Sequence, residues 1–171
     1  MDKITYSIES FKNIQDLIKF ADQKSGAVLV VTGLIFTGYV QFLQGLHYTG
    51  LSDVTLLGIL TFISSITTLA SLVVVVYITI FGVLKPKKAQ HYETGELSLF
   101  YYDHILQAGK IEMMIKYEQV DETSMLKNIV DQQYEVSKIL NRKTEALTKT
   151  FNWLFISVVS VMTFIILSNQ L

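Results

Sequence analysis

Hydrophobic and polar positions fall along this chain in long blocks. Ser25 to Ser52 holds no charged residue, Asp53 stands alone, Val54 to Leu84 is again uncharged, and so is Thr150 to Leu171. A helix needs about 20 predominantly apolar residues to cross the hydrocarbon core of a bilayer, and each run is long enough. An ionised side chain at the centre of such a span costs roughly 2.5–3.5 kcal/mol on insertion scales, which accounts for the missing charge. The pattern predicts three transmembrane helices, about Gly26–Leu46, Leu56–Leu84 and Phe151–Leu171. The second run exceeds what a span requires, so it tilts or extends beyond the bilayer before Pro86 interrupts it.

The polar blocks also read as helix. Ile8, Phe11, Ile14, Ile18 and Ala21 recur at spacings of three and four, with Lys12, Asp16 and Lys19 elsewhere on the turn, the signature of one apolar helix face. That helix runs into the membrane or lies along its surface. Leu126, Ile129, Val130, Val136, Leu140 and Leu147 make a broken stripe of the same kind. No glycine or proline separates the stripe from Phe151, so one helix from about Ser124 to the C-terminus is expected. The segment "ELSLFYYDHILQAGKIEMMIKYEQV" is helix-permissive, and strand signals are weak throughout. The fold class expected is an all-α membrane protein: three transmembrane helices with a helical cytoplasmic region between the second and third. It divides into an N-terminal amphipathic helix (1–24), a transmembrane hairpin (25–84), a cytoplasmic helical region (85–149) and a third transmembrane helix (150–171).

Charge sets the orientation. All 14 Lys and Arg residues lie within residues 1–24 or 85–149, and the link "HYTGLSD" has none. Cation-rich flanks stay in the cytoplasm, so the N-terminus is expected inside and the C-terminus outside the membrane. The first apolar run is too long for the core of a cleaved signal peptide, and none is expected. A net charge of −1 gives no basis for nucleic acid as a partner; membrane lipid is the expected one. With no cysteine, disulfides and thiolate chemistry are excluded. His47, His91 and His104 form no metal-ligand spacing, and no nucleophile elbow, phosphate-cradling glycine loop or dinucleotide fingerprint is present. No enzyme activity, metal or cofactor is expected.

Two features carry candidate chemistry. "FADQKSGAVLVVTG" places Asp22 and Lys24 directly before the first apolar run. In a structural reading Asp22 stays in water or caps backbone while Lys24 reaches toward headgroups. In a functional reading the two form a charged contact with the helix that precedes the third span, through Arg142 or Lys143, and a signal rearranges it. In the second span Thr61, Ser64, Ser65, Thr68 and Ser71 recur at helical spacing. Hydroxyl residues let helices approach closely and bond across the contact, so the stripe serves helix packing and homo-oligomerisation, or else lines a pore.

"FADQKSGA" resembles the Asp-x-Lys-small-Gly signature that opens the first membrane helix of the Pycsar transmembrane effector family. "LFYYDHI" is similar to that family's aromatic cluster after the second span, and "QQYEVSKILNRK" to its helix before the last; the chain departs from the family pattern at Ser25 and Asp103. The resemblance implies an antiphage effector in the inner membrane, activated by a cyclic pyrimidine mononucleotide, cCMP or cUMP, and impairing membrane integrity so that infection aborts. A β-barrel nucleotide-binding domain has no room here, so such a ligand would sit between helices or subunits. Its phosphate would need a cation and its base an aromatic face. Beside Asp22, the candidates are Lys24, Lys138, Arg142 and Lys143, with Tyr101, Tyr102, Tyr117 and Tyr134. Two other readings stay open: a membrane scaffold docking a soluble partner through "LSLFYYDHIL", and an effector answering to a cyclic oligonucleotide.

Overall fold

A computed structural model describes residues 2–45, 55–86 and 102–170. Among these the chain is helical throughout: α1 (Lys3–Gly45), α2 (Leu56–Tyr77) continued by a π-helical segment (Ile78–Leu84), α3 (Tyr102–Gln119) and α4 (Glu122–Ser168). The stretch of α1 from Lys3 to Gln44, the run Leu56–Leu84 and α4 are each long and apolar enough to cross a membrane. The N-terminal amphipathic helix therefore runs unbroken into the first span. The stripe before the third span likewise continues into it, as the absence of glycine and proline between them requires.

Two compact units divide the chain. Unit 1 comprises residues 1–20 and 86–142, and unit 2 residues 21–85 and 143–171. In unit 1, Ile8, Phe11, Ile14 and Ile18 of α1 are half-buried, as the stripe predicts, and Ile129 of α4 is buried. Val130, counted in the α4 stripe, is instead exposed, because the neighbouring Ile129 takes the inward position of that turn. Gln133 donates to the Ser10 hydroxyl at 2.7 Å, joining α4 to α1. Helix α3 breaks at Gly109, whose φ of 74° and ψ of 167° are non-helical. A residue with a Cβ enters that left-handed region only at a cost.

Unit 2 inverts the usual arrangement of a water-soluble core. Large apolar side chains such as Leu34, Phe62, Val73 and Phe155 face outward, while Ser25, Thr32, Thr61, Thr68, Ser71, Thr79, Thr150 and Ser157 are buried. The buried positions of α1 (21, 25, 28, 32, 39) and of α4 (143, 147, 150, 157, 164) keep a three-and-four rhythm, the seam of near-parallel helices. Small residues along a seam let spans approach closely, while an apolar outer surface matches lipid. Each seam hydroxyl is satisfied by a carbonyl of its own helix: Ser25 donates to Ala21, Thr32 to Val28, Thr61 to Leu57, Thr68 to Ser64, Thr79 to Val75 and Thr150 to Ala146, at 2.7–3.0 Å. Tyr39 reaches across to Ser65, with its hydroxyl 2.6 Å from Ser65 Oγ, and its ring packs edge-on against Phe164 with centroids 5.2 Å apart.

Helix α4 is opened by Asp121, whose carboxylate accepts from the Ser124 backbone N–H at 3.1 Å, an N-cap that satisfies one of the free donors of the first turn. Hydrogen bonds from the Ser124 side chain, then its backbone, hold the Asp121 carboxyl below the usual carboxylate range. A carboxylate held down in the folded state contributes stability above its unfolded pKa, and that stability is lost as pH falls through the folded value. The protection factor of the Ser124 amide is therefore expected to be raised near neutrality and to fall on acidification below about pH 4, with Asp121→Ala lowering it near neutrality and having little effect in acid.

Candidate functional site

The residues that meet at the charged end of the three apolar runs come from all three spanning helices, and all belong to unit 2. Ala21 of α1, Val83 of the π segment and Leu147 of α4 form a buried apolar cluster, with Ala146 packed against it. Directly beside Ala21, Asp22 accepts a hydrogen bond from the Lys143 ammonium, with Oδ1 and Nζ 2.5 Å apart. The Lys143 side chain is 7% exposed and that of Asp22 38%. Removing one partner of a buried ion pair costs about 3–5 kcal/mol, because the other charge is stranded. The partial exposure of Asp22 places this pair toward the lower end.

Local sequence explains why these groups converge. Asp22 follows the last inward residue of the α1 amphipathic stripe, and Ser25 continues the same face one turn on, fully buried with its hydroxyl on the Ala21 carbonyl. This internal bond is what lets a hydroxyl occupy the buried position. Lys143 lies one turn before Leu147 on the inward face of α4. Gly82 allows the closest approach: a Cβ placed there would lie 3.0 Å from the Ala146 Cβ. At Gly26, Gly33 and Gly38 an added Cβ would meet nothing within 4 Å.

The π segment has identifiable causes. Gly82 weakens the α preference, and the Thr79 hydroxyl bonds the Val75 carbonyl at 2.7 Å, a bond the regular helices also make and one that adds to this weakness only beside the glycine. The turn closes with the Lys85 N–H on the Ile80 carbonyl at 2.8 Å, five residues back. Pure sequence periodicity treats residues 56–84 as one regular helix, so it misses this widened turn. A threonine one turn before a glycine is the signal that could have raised it.

The other candidates are dispersed. Lys24 and Arg142 are exposed. In unit 1, Lys138 bonds Glu135 at 3.0 Å and lies 4.2 Å over the Tyr134 ring; Glu135 is buried, whereas Tyr134 is exposed. Tyr117 is exposed on α3. Tyr101 lies outside the described residues, and Tyr102 begins α3. Of the hydroxyl stripe, Thr61, Thr68 and Ser71 are buried and Ser64 and Ser65 half-buried, so within the chain the stripe serves as a packing seam. Sequence reasoning passed over a groove of about 240 Å³ in unit 1 between Ile8, Phe11, Lys12 and Gln15 of α1 and Ile129 and Gln132 of α4. The signal available was Lys12 and Gln15 flanking the apolar stripe three residues apart. Among the described residues no group of His, Asp or Glu could hold a metal ion.

These features define a helical membrane protein whose apolar helices pack through satisfied hydroxyls and meet at a buried ion pair. Residues 7–168 match the profile of the Pycsar effector protein domain, and the chain belongs to that family. It is 34% identical to the Pycsar effector protein TpPycTM of Treponema porcinum over 99 residues, which span 58% of this chain and 80% of that protein. No solved structure matches the chain.

The glycines give a direct check on the packing. Gly82→Val is expected to lower the thermal unfolding midpoint of the detergent-solubilised protein by several degrees, since its side chain meets Ala146. Gly33→Ala is expected to leave the midpoint unchanged or slightly raised, as alanine is the better helix former by about 1 kcal/mol. Equal effects would disprove the seam contact.

Proposed function

We propose that the protein is an antiphage effector of the bacterial inner membrane that responds to a cyclic pyrimidine mononucleotide, cCMP or cUMP, by compromising the membrane and aborting infection. Family membership over residues 7–168 supports the effector role. The observation that carries the gating reading is the Asp22–Lys143 pair. Two ionised groups at the head of apolar spans, one of them buried, are a costly arrangement for mere anchoring. The pair forms the resting contact between α1 and α4, and activation breaks it.

The ligand contacts belong to residues 1–20 and 86–142. That unit carries the Tyr134 ring with Lys138 above it, an aromatic face and a cation of the kind that a pyrimidine and a phosphate require, beside a largely apolar groove lined by Ile8, Phe11 and Ile129 with Lys12, Gln15 and Gln132. Helices α1 and α4 are continuous from this unit into the apolar spans, so a change at the ligand is transmitted along them. The distribution of Lys and Arg supports a cytoplasmic N-terminus and an external C-terminus. Copies of the chain assemble in the bilayer, and the protein performs no catalysis.

The test is membrane potential, read with a voltage-sensitive dye in cells co-expressing the protein with a cyclase that supplies cCMP, cUMP or neither. Depolarisation is expected with one nucleotide only. Asp22→Ala is expected to abolish the response while the protein remains in the membrane fraction. Depolarisation with neither nucleotide overturns the ligand reading, and a full response from inserted Asp22→Ala overturns the gating role of the pair.

A further inference from the structure

The π segment is positioned to act as a mechanical element. Thr61, Thr68 and Val75 of the second span are buried at seven-residue intervals, a series whose next position in a regular helix is residue 82. The widened turn instead carries Val83 there, fully buried against Ala21 and Leu147, and leaves Gly82 half-buried against Ala146. A π turn holds one residue more than the α turn it replaces and recurs at functional positions. Its relaxation to α turns the flanking helix by one residue, about 100° around the axis and 1.5 Å along it.

We propose that Ile78–Leu84 is a register switch latched by the Asp22–Lys143 pair, with the π form as the resting state and the α form as the released state. The proposal rests on the gating reading of that pair and adds the element that moves. In the π register Val83 fills the space between Ala21 and Leu147, holding α1 and α4 at the spacing at which Asp22 reaches Lys143. Breaking the pair removes the constraint on that spacing. The segment then regains regular α hydrogen bonds, Val83 leaves the cluster, Gly82 leaves Ala146, and Lys85 swings around the helix axis. The layer that closes the charged end of the three spans loses its packing in a single step.

The absence of cysteine allows the register to be read by disulfide trapping. Full-length Gly82→Cys/Ala146→Cys protein in lipid vesicles, oxidised with copper phenanthroline, is expected to crosslink readily, because the two Cβ positions lie 3.0 Å apart and a separation of about half an ångström more reaches disulfide spacing. Adding Asp22→Asn is expected to reduce crosslinking several-fold, and the charge exchange Asp22→Lys with Lys143→Asp to restore it. Crosslinking as efficient with Asp22→Asn as without it overturns the latch, and no crosslinking in either background overturns the resting register. Because this readout uses no nucleotide, a protein that crosslinks as expected yet fails to depolarise cells retains the switch and loses only the proposed signal.

Discussion

A hydroxyl or a charge inside an apolar bundle must find its partner within the protein, and the rest of this structure follows from that constraint. In lipid, no water replaces a missing hydrogen bond. Each buried serine and threonine of the seam therefore turns onto a carbonyl of its own helix, which leaves its small side chain free to be packed against. The seam mixes these small hydroxyl residues with larger ones such as Tyr39, Leu147 and Phe164, and its serines and threonines pack as apolar groups would.

Lys143 is the exception, since an ammonium has no acceptor on its own turn that can neutralise it. Its buried position is tolerable only because Asp22 meets it from another helix. The apolar cluster of Ala21, Val83 and Leu147 lies against the pair on the adjoining turns. Packing and electrostatics are thus coupled at one level of the bundle, where a change in either disturbs both.

This coupling gives a physical form to the effector role. Under the proposed function, the resting protein must be closed in a state that a modest free energy can release. A packed hydroxyl seam alone resists small perturbations. An ion pair with one open side is different, because its strength depends strongly on separation and hydration, and it lies at the charged end of the apolar runs. Gly82 and the π turn add local weakness at the same level.

How much of this could be read without the structure depends on the range of the interaction involved. Span number, helical class, the continuity of α4 and the inward faces of α1 follow from hydropathy and three-and-four spacing, because burial repeats with the geometry of the helix itself. The prominence of Asp22 was also legible, since a carboxylate beside hydrocarbon is costly wherever the chain folds. Its choice of Lys143 over the adjacent Arg142 was not: neighbouring residues on a helix point about 100° apart, and only the packing of α4 on α1 decides which faces inward. The π turn, the approach of Gly82 to Ala146 and the groove between α1 and α4 in unit 1 were likewise decided by tertiary structure, because each depends on a surface supplied by residues far away in the chain.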